Sequence, residues 1–358
     1  MLKISPAALA FLGGLLASRL GGASADDAPV LEVRTSADYV DRPVEAAVDL
    51  AVGRVSEIDA SGRVLDPDLP FQLDRGRLVF LLKGATRKDA VRRYRLSTDR
   101  GKAVAPLVEC ADAEDEGQAS FKVTTPAGTW FYHKEGAGFS SLVDRDGNDW
   151  LGYRPGGGSD GKYRGIPNAV HPEGHFHPGG TTCESRLVAM GPLKVTIESE
   201  SKDKKWACRW EIFPSFARLT MLKADKPWWF LYEGTPGGKL DPASDFSIRS
   251  DGKKSPLSER WTGDLPAPEW IAFADGALSR SILVLHHEDD ALVDSYWPMQ
   301  GNMTVFGFGR DGLAKHLVAT PSRFSVALVE DRSPEGLSRA ALSLLHEPVA
   351  RIVEAPRR

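Results

Sequence analysis

The feature that most constrains this chain is its punctuation. Short runs rich in Val, Ile, Phe, Tyr, Trp and Thr follow one another from Leu31 to Val329, parted by turn residues. With 35 Gly and 24 Pro in 358 residues, no stretch before Ser333 holds a helical period. The pattern predicts an all-β protein built from antiparallel strands. Asp146-Gly147 and Asp251-Gly252 are hairpin turns between such runs.

The runs fall into two groups. Val44 to Leu50, Val55 to Ile58, Arg77 to Leu82 and Arg92 to Leu96 belong to a small β-sandwich or barrel module over 26–100. Residues 101–118 hold the acidic cluster Asp112, Glu114, Asp115 and Glu116 with no apolar period, and are expected to be a linker. From 119 to 330 the strand pattern resumes, including Thr129 to His133, Trp206 to Phe213, Trp228 to Tyr232 and Met303 to Phe308. That number of strands predicts a large antiparallel two-sheet sandwich. Residues 331–358 are a helix and tail, with Ser333 as N-cap, Pro334 at the first helical position and Leu337, Ala341, Leu344 and Leu345 on one face.

The first 25 residues have the form of a leader. Lys3 is the positive end, Ile4 to Ala17 is a short apolar run, and Ala23-Ser24-Ala25 is a cleavage pattern. The run is shorter than the ~20 residues that span a bilayer. A secreted or periplasmic protein without a transmembrane segment in its mature chain is expected. The formal charge of −4 leaves no basic surplus, so nucleic acid is not an expected partner. Of three cysteines, Cys183 and Cys208 are the better disulfide pair, with Cys110 left over.

The chemistry concentrates in 163–184. His171, Glu173, His175 and His177 have equal parity and would share one face of an extended chain, with Phe176 opposite as a core anchor. One chemistry is β-elimination on a uronate sugar, which needs a neutraliser for the carboxylate, a base and an acid. Arg164, Asn168 and one histidine supply the neutraliser, His175 or His177 the base and Tyr163 the acid. No cofactor is needed for that reaction. The alternative is a divalent metal such as Zn or Mn held by His175 and His177 with His171 or Glu184. That spacing resembles the first motif of cupins, although six residues separate His177 from Glu184 and the second motif is not visible.

A second stretch, Trp228 to Gly238, is an apolar strand ending in Glu233 and a Gly/Pro loop. Alternation puts Trp229, Leu231 and Glu233 on one face and Trp228, Phe230 and Tyr232 on the other. Trp229 would stack on a sugar, Glu233 would bond hydroxyls, and Arg310 would pair with a substrate carboxylate. Glu173 with Glu233 would be the carboxylate pair of a glycoside hydrolase. Asp144 to Asp149 lacks the closing Glu of a calcium loop and is expected to be a hairpin turn.

A leader, a small β module and a large antiparallel region resemble secreted carbohydrate-active proteins. Through its aromatic strands and His-rich loop, 119–330 looks like the galactose-mutarotase-like supersandwich found in aldose epimerases, polysaccharide lyases and hydrolases. The resemblance implies a polysaccharide or oligosaccharide substrate. It also implies that His175 or His177, with Glu233 or Glu184, fill the roles of a catalytic His and Glu. The expected function is a polysaccharide lyase, with a glycoside hydrolase, a metal-dependent cupin-like enzyme and a non-catalytic glycan-binding protein as alternatives.

Overall fold

The computed structural model describes residues 28–156 and 161–353, so the leader expected at 1–25 lies outside it. The described residues form an all-β protein whose α-helix is Pro334–Leu345. No helix among them is long and apolar enough to cross a membrane.

Two small sheets make the first module. One has the strand order Val349–Val353, Val30–Arg34, Val91–Ser97, Arg54–Ile58, Val64–Asp66, and the other Tyr39–Ala47, Arg77–Thr86, Phe71–Asp74. The central run of Arg77–Thr86 is buried on both faces, and the reason is positional. Leu78, Phe80 and Leu82 fill the module core with Tyr94 and Leu96, while Val79 and Leu81 pack on Leu193 of the larger sandwich. A polar clasp reinforces the same junction. Lys194, 2% exposed, reaches Glu45 at 2.7 Å, Asp74 at 2.7 Å and Glu211 at 3.0 Å. Three carboxylates around one ammonium make its burial tolerable.

The larger unit has two layers. Its first layer is a nine-stranded antiparallel sheet running from Cys183–Met190 at one edge to Lys254–Pro256 at the other. Its second layer joins two four-stranded sheets. Gly138–Asp144 ends one, Phe230–Gly234 ends the other, and the segment 165–169 fills the gap between them. Phe139 exchanges backbone hydrogen bonds with Ile166, and Gly165 exchanges them with Glu233. Leu231 N–H also donates to the Pro167 carbonyl at 2.7 Å. The front of the His-rich stretch is therefore a sheet element.

Aromatic contacts close the core between the layers. Phe139 meets Trp210, Phe230 stacks on Phe324, and Tyr232 meets Phe273, with ring centroids 4.5–5.2 Å apart. The C-terminal helix packs Leu337, Ala341 and Leu344 against the outside of the nine-stranded sheet, and Ser333 Oγ caps it by accepting from Gly336 N–H. After the helix, Val349–Val353 returns to pair with Val30–Arg34 of the first module.

Three expectations need correction. Glu109–Asp115 is a strand at the edge of its sheet, paired with Gln118–Thr125, and not part of a linker. Its acidic side chains suit an edge, where charge discourages pairing with another chain. Cys183 and Cys208 are free, because Val195–Ser201 lies between their strands. Two strand spacings, roughly 9–10 Å, exceed the reach of a disulfide. The third is the equal-parity face of the histidine stretch, which the Val170–His175 bridge breaks. The Asp144 turn is a hairpin as expected: the carboxylate accepts from Asp146 N–H, Asn148 N–H and Trp150 Nε1–H and pairs with Arg280.

Candidate functional site

Alternation along Phe230–Gly234 sends Phe230 and Tyr232 into the core and Leu231 and Glu233 to the outer face. Glu233 is 5% exposed. Its Oε2 accepts from Asn168 Nδ2 at 2.7 Å and lies 3.7 Å from His177 Nε2. Asn168 is buried and takes φ 39°, a left-handed conformation that Asn tolerates better than most residues. It acts as a positioning group for Glu233, and its amide is not left to neutralise a substrate carboxylate.

His177 reaches Glu233 because the backbone beneath it is bare. Its N–H donates to the Gly136 carbonyl at 2.8 Å. Pro178 then lies so close to Gly165 that a β-carbon there would come within 2.4 Å of its ring. His133, fully buried, holds the far side of the turn, its Nδ1 accepting from Gly179 N–H at 2.9 Å. Tyr153 stands edge-on to both His133 and His177. Nε2 of His177 is shut from solvent without a hydrogen-bond partner.

The equal-parity face of the histidine stretch does not form. Val170 bridges back to His175, closing a tight turn, and Phe176 takes φ 53° to bury its ring. A bulky residue in the left-handed region re-aims the chain at that point. His175 turns away and shares a 2.7 Å hydrogen bond with Thr182 Oγ1. Glu184 is exposed on the sheet edge. Among the described residues, no three of His171, His175, His177 and Glu184 bring ligand atoms within 4.8 Å of one another. That metal set is not assembled.

The remaining expected residues divide between the surroundings of Glu233 and the scaffold. Tyr163 and His171 meet edge to face with centroids 5.9 Å apart. Burial pushes the His171 imidazole below its usual value against the pull of Glu233, so the ring is neutral near pH 7. Arg164 donates to the carbonyls of Gly152 at 3.2 Å and Asn302 at 3.1 Å, bracing two loops. Glu173 lies exposed at the rim, 3.2 Å from Lys226. Burial works to raise its pKa, but a backbone N–H and the Lys226 ammonium prevail and hold it low. A hydrolase acid needs the opposite shift.

Trp229 is only 2% exposed, so it offers no face to a sugar. Instead its ring carries cations: Lys315 Nζ lies 4.5 Å and Arg310 Cζ 5.9 Å from its centroid. Arg310 is 7% exposed and folds back over Gly307, where any side chain would collide with it. Its Nη1 donates to Ser295 Oγ at 3.0 Å, and no carboxylate lies within ion-pair distance of Arg310 or Lys315 among the described residues. Burial lowers the Arg310 pKa against the pull of Glu233 and Asp311, which act on it from beyond ion-pair distance, and an anionic ligand in contact would offset that cost.

Sequence reasoning missed His133, Ser295, Trp297 and Lys315. Only sheet register brings them to the face of Glu233 or under its loop. The site therefore offers an imidazole–carboxylate pair, a phenol–imidazole pair and two cations on one outer face.

No family model matches the chain, and no curated protein matches it. Among the solved structures that match, one described as the crystal structure analysis of HI1317 aligns at 13% identity with a TM-score of 0.44. The alignment covers 63% of this chain and 97% of that one, and nothing about activity follows from a likeness at that level.

Proposed function

We infer that the protein is an exported carbohydrate-active enzyme that performs β-elimination on a uronate-containing glycan. The observation that carries the proposal is the pairing of His177 with buried Glu233 beside cations that lack carboxylate partners. In this reading Nε2–H of His177 points at Glu233, and Nδ1 takes the C5 proton of the uronate. The carboxylate stabilises the imidazolium that forms. Arg310 and Lys315 hold the sugar carboxylate and stabilise the enolate-like state. As C4=C5 forms, the C4–O bond breaks and Tyr163, beside His171, protonates the departing oxygen. Export rests on the leader pattern of the first 25 residues.

Incubation with acidic polysaccharides tests this. Unsaturated products that absorb in the ultraviolet and weigh one water less than hydrolysis products are expected. Saturated products would overturn the reading in favour of hydrolysis.

The same His177–Glu233 pair supports a second reading, aldose mutarotation, because mutarotases of the resembling fold carry a catalytic His and Glu. Accelerated exchange of anomers of a free sugar acid, followed by nuclear magnetic resonance, without chain cleavage would select it.

A further inference from the structure

We propose that the face carrying Glu233 holds a second sugar subsite at Trp297 and Arg260, so that the ligand is an oligomer bearing acid groups on neighbouring rings. The proposal rests on the sugar-directed reading above and concerns what the outer face binds beyond the reacting ring.

Register places the subsite. Glu233 pairs directly with Val305, and Val305 pairs directly with Trp297 on the next strand. Directly opposed residues share a face. Tyr296 and Phe306 go to the core, so Val305 and Trp297 face outward with Glu233. Two strand spacings put Trp297 about 9–10 Å from Glu233, too far for one pyranose ring to touch both. Ser295, which anchors Arg310, projects from the same face of the same strand as Trp297. Arg310 thus packs over Gly307 and Ser295, the outward-facing row next to Glu233, Val305 and Trp297.

The cation recurs at the two positions, whereas the indole is open only at Trp297. Trp229 carries Arg310 and Lys315 over its ring, and Trp297 carries Arg260, with Cζ 5.0 Å from the centroid. Arg260 is exposed and, like Arg310, has no carboxylate within ion-pair distance among the described residues. Trp297 is half-buried, and its indole N–H has no acceptor in the protein. Among the described residues, two guanidiniums without a carboxylate at ion-pair distance, Arg310 and Arg260, stand along one face, and the half-exposed indole of Trp297 lies beside the second. This matches a chain with carboxylates on neighbouring rings whose outer ring lies on Trp297. A single sugar acid would leave the second pair unused.

Calorimetric titration with galacturonic, mannuronic and glucuronic acid and with their tetramers tests the subsite without relying on turnover. At least one tetramer is expected to bind roughly tenfold more tightly than its monomer, the scale of one such contact. Arg260→Gln and Trp297→Ala should each remove most of that gain and leave monomer binding unchanged. Arg260 is exposed, so Arg260→Gln keeps the test sound if Trp297→Ala disturbs packing. No gain with any tetramer, or a gain that survives both substitutions, would overturn the proposal. A tetramer that binds with the gain yet is never cleaved counts against the elimination chemistry and not against the subsite.

Discussion

His177 Nε2 stands 3.7 Å from Glu233 Oε2, with no other hydrogen-bond partner for that nitrogen. The gap is a little longer than a hydrogen bond. Catalytic hydrogen bonds are often long in the absence of substrate and tighten when it binds. Asn168 fixes the carboxylate from one side, while Gly136 and Gly165 let the His177–Pro178 backbone approach from the other. The pair is thus a product of backbone placement.

Tyr163→Phe tests the acid. It removes the phenolic proton and keeps the ring packed against His171. Turnover should fall by about 10²–10⁴, with substrate affinity unchanged. Loss of affinity with turnover intact would move Tyr163 from the acid role to binding.

Arg310→Gln should weaken the binding of acidic sugars by about tenfold or more and leave that of neutral sugars unchanged, as titration would show. Ser295→Ala should have a smaller effect of the same kind, because it removes the hydroxyl that orients the guanidinium. Equal losses for acidic and neutral sugars would show that Arg310 only supports the fold.

Lys194 joins the two units through Glu45, Asp74 and Glu211. Lys194→Met removes the ammonium that Glu45, Asp74 and Glu211 share and leaves each carboxylate only its own arginine, Arg77, Arg75 and Arg218. Urea unfolding should show a loss of about 3–5 kcal/mol. A loss under ~1 kcal/mol would mean that the apolar contact of Val79 and Leu81 with Leu193 carries the junction alone.

Acid should destabilise the protein through its buried histidines. Burial pushes the pKa of His133 down to about 4 and that of His287 to about 2. The unfolded chain takes up these protons near pH 6.5, and the folded chain refuses them until far lower pH. The His133 contribution is therefore present above pH ~6.5 and is lost as pH falls toward 4, while that of His287 goes on falling toward pH 2. His133→Asn should flatten the slope of stability between pH 7 and 5, measured by urea unfolding. An unchanged slope would contradict the burial account.

Much of the fold was legible in the sequence because strand alternation and turn chemistry act locally. The outward face of Glu233 follows from the period of two, and the helix start follows from Ser333-Pro334. The acidic strand Glu109–Asp115 was not legible, since an exposed edge strand has the composition of a linker. Nor was the fate of His175. Parity holds only while the chain stays extended, and the Val170–His175 bridge breaks it within the motif. Trp297 and Lys315 escaped because their roles depend on which strands are neighbours, which composition does not encode.

His177 and Glu233 are expected to act as one acid–base unit, and a double-mutant cycle measures their coupling. Wild type, His177→Ala, Glu233→Gln and the double variant would be compared by the rate of unsaturated product formed from an acidic polysaccharide. If the two side chains work as a unit, each single substitution lowers kcat by about 10²–10⁴, and the double variant is no slower than the worse single one. Effects that multiply in the double variant, or near-normal turnover in either single variant, would contradict the account.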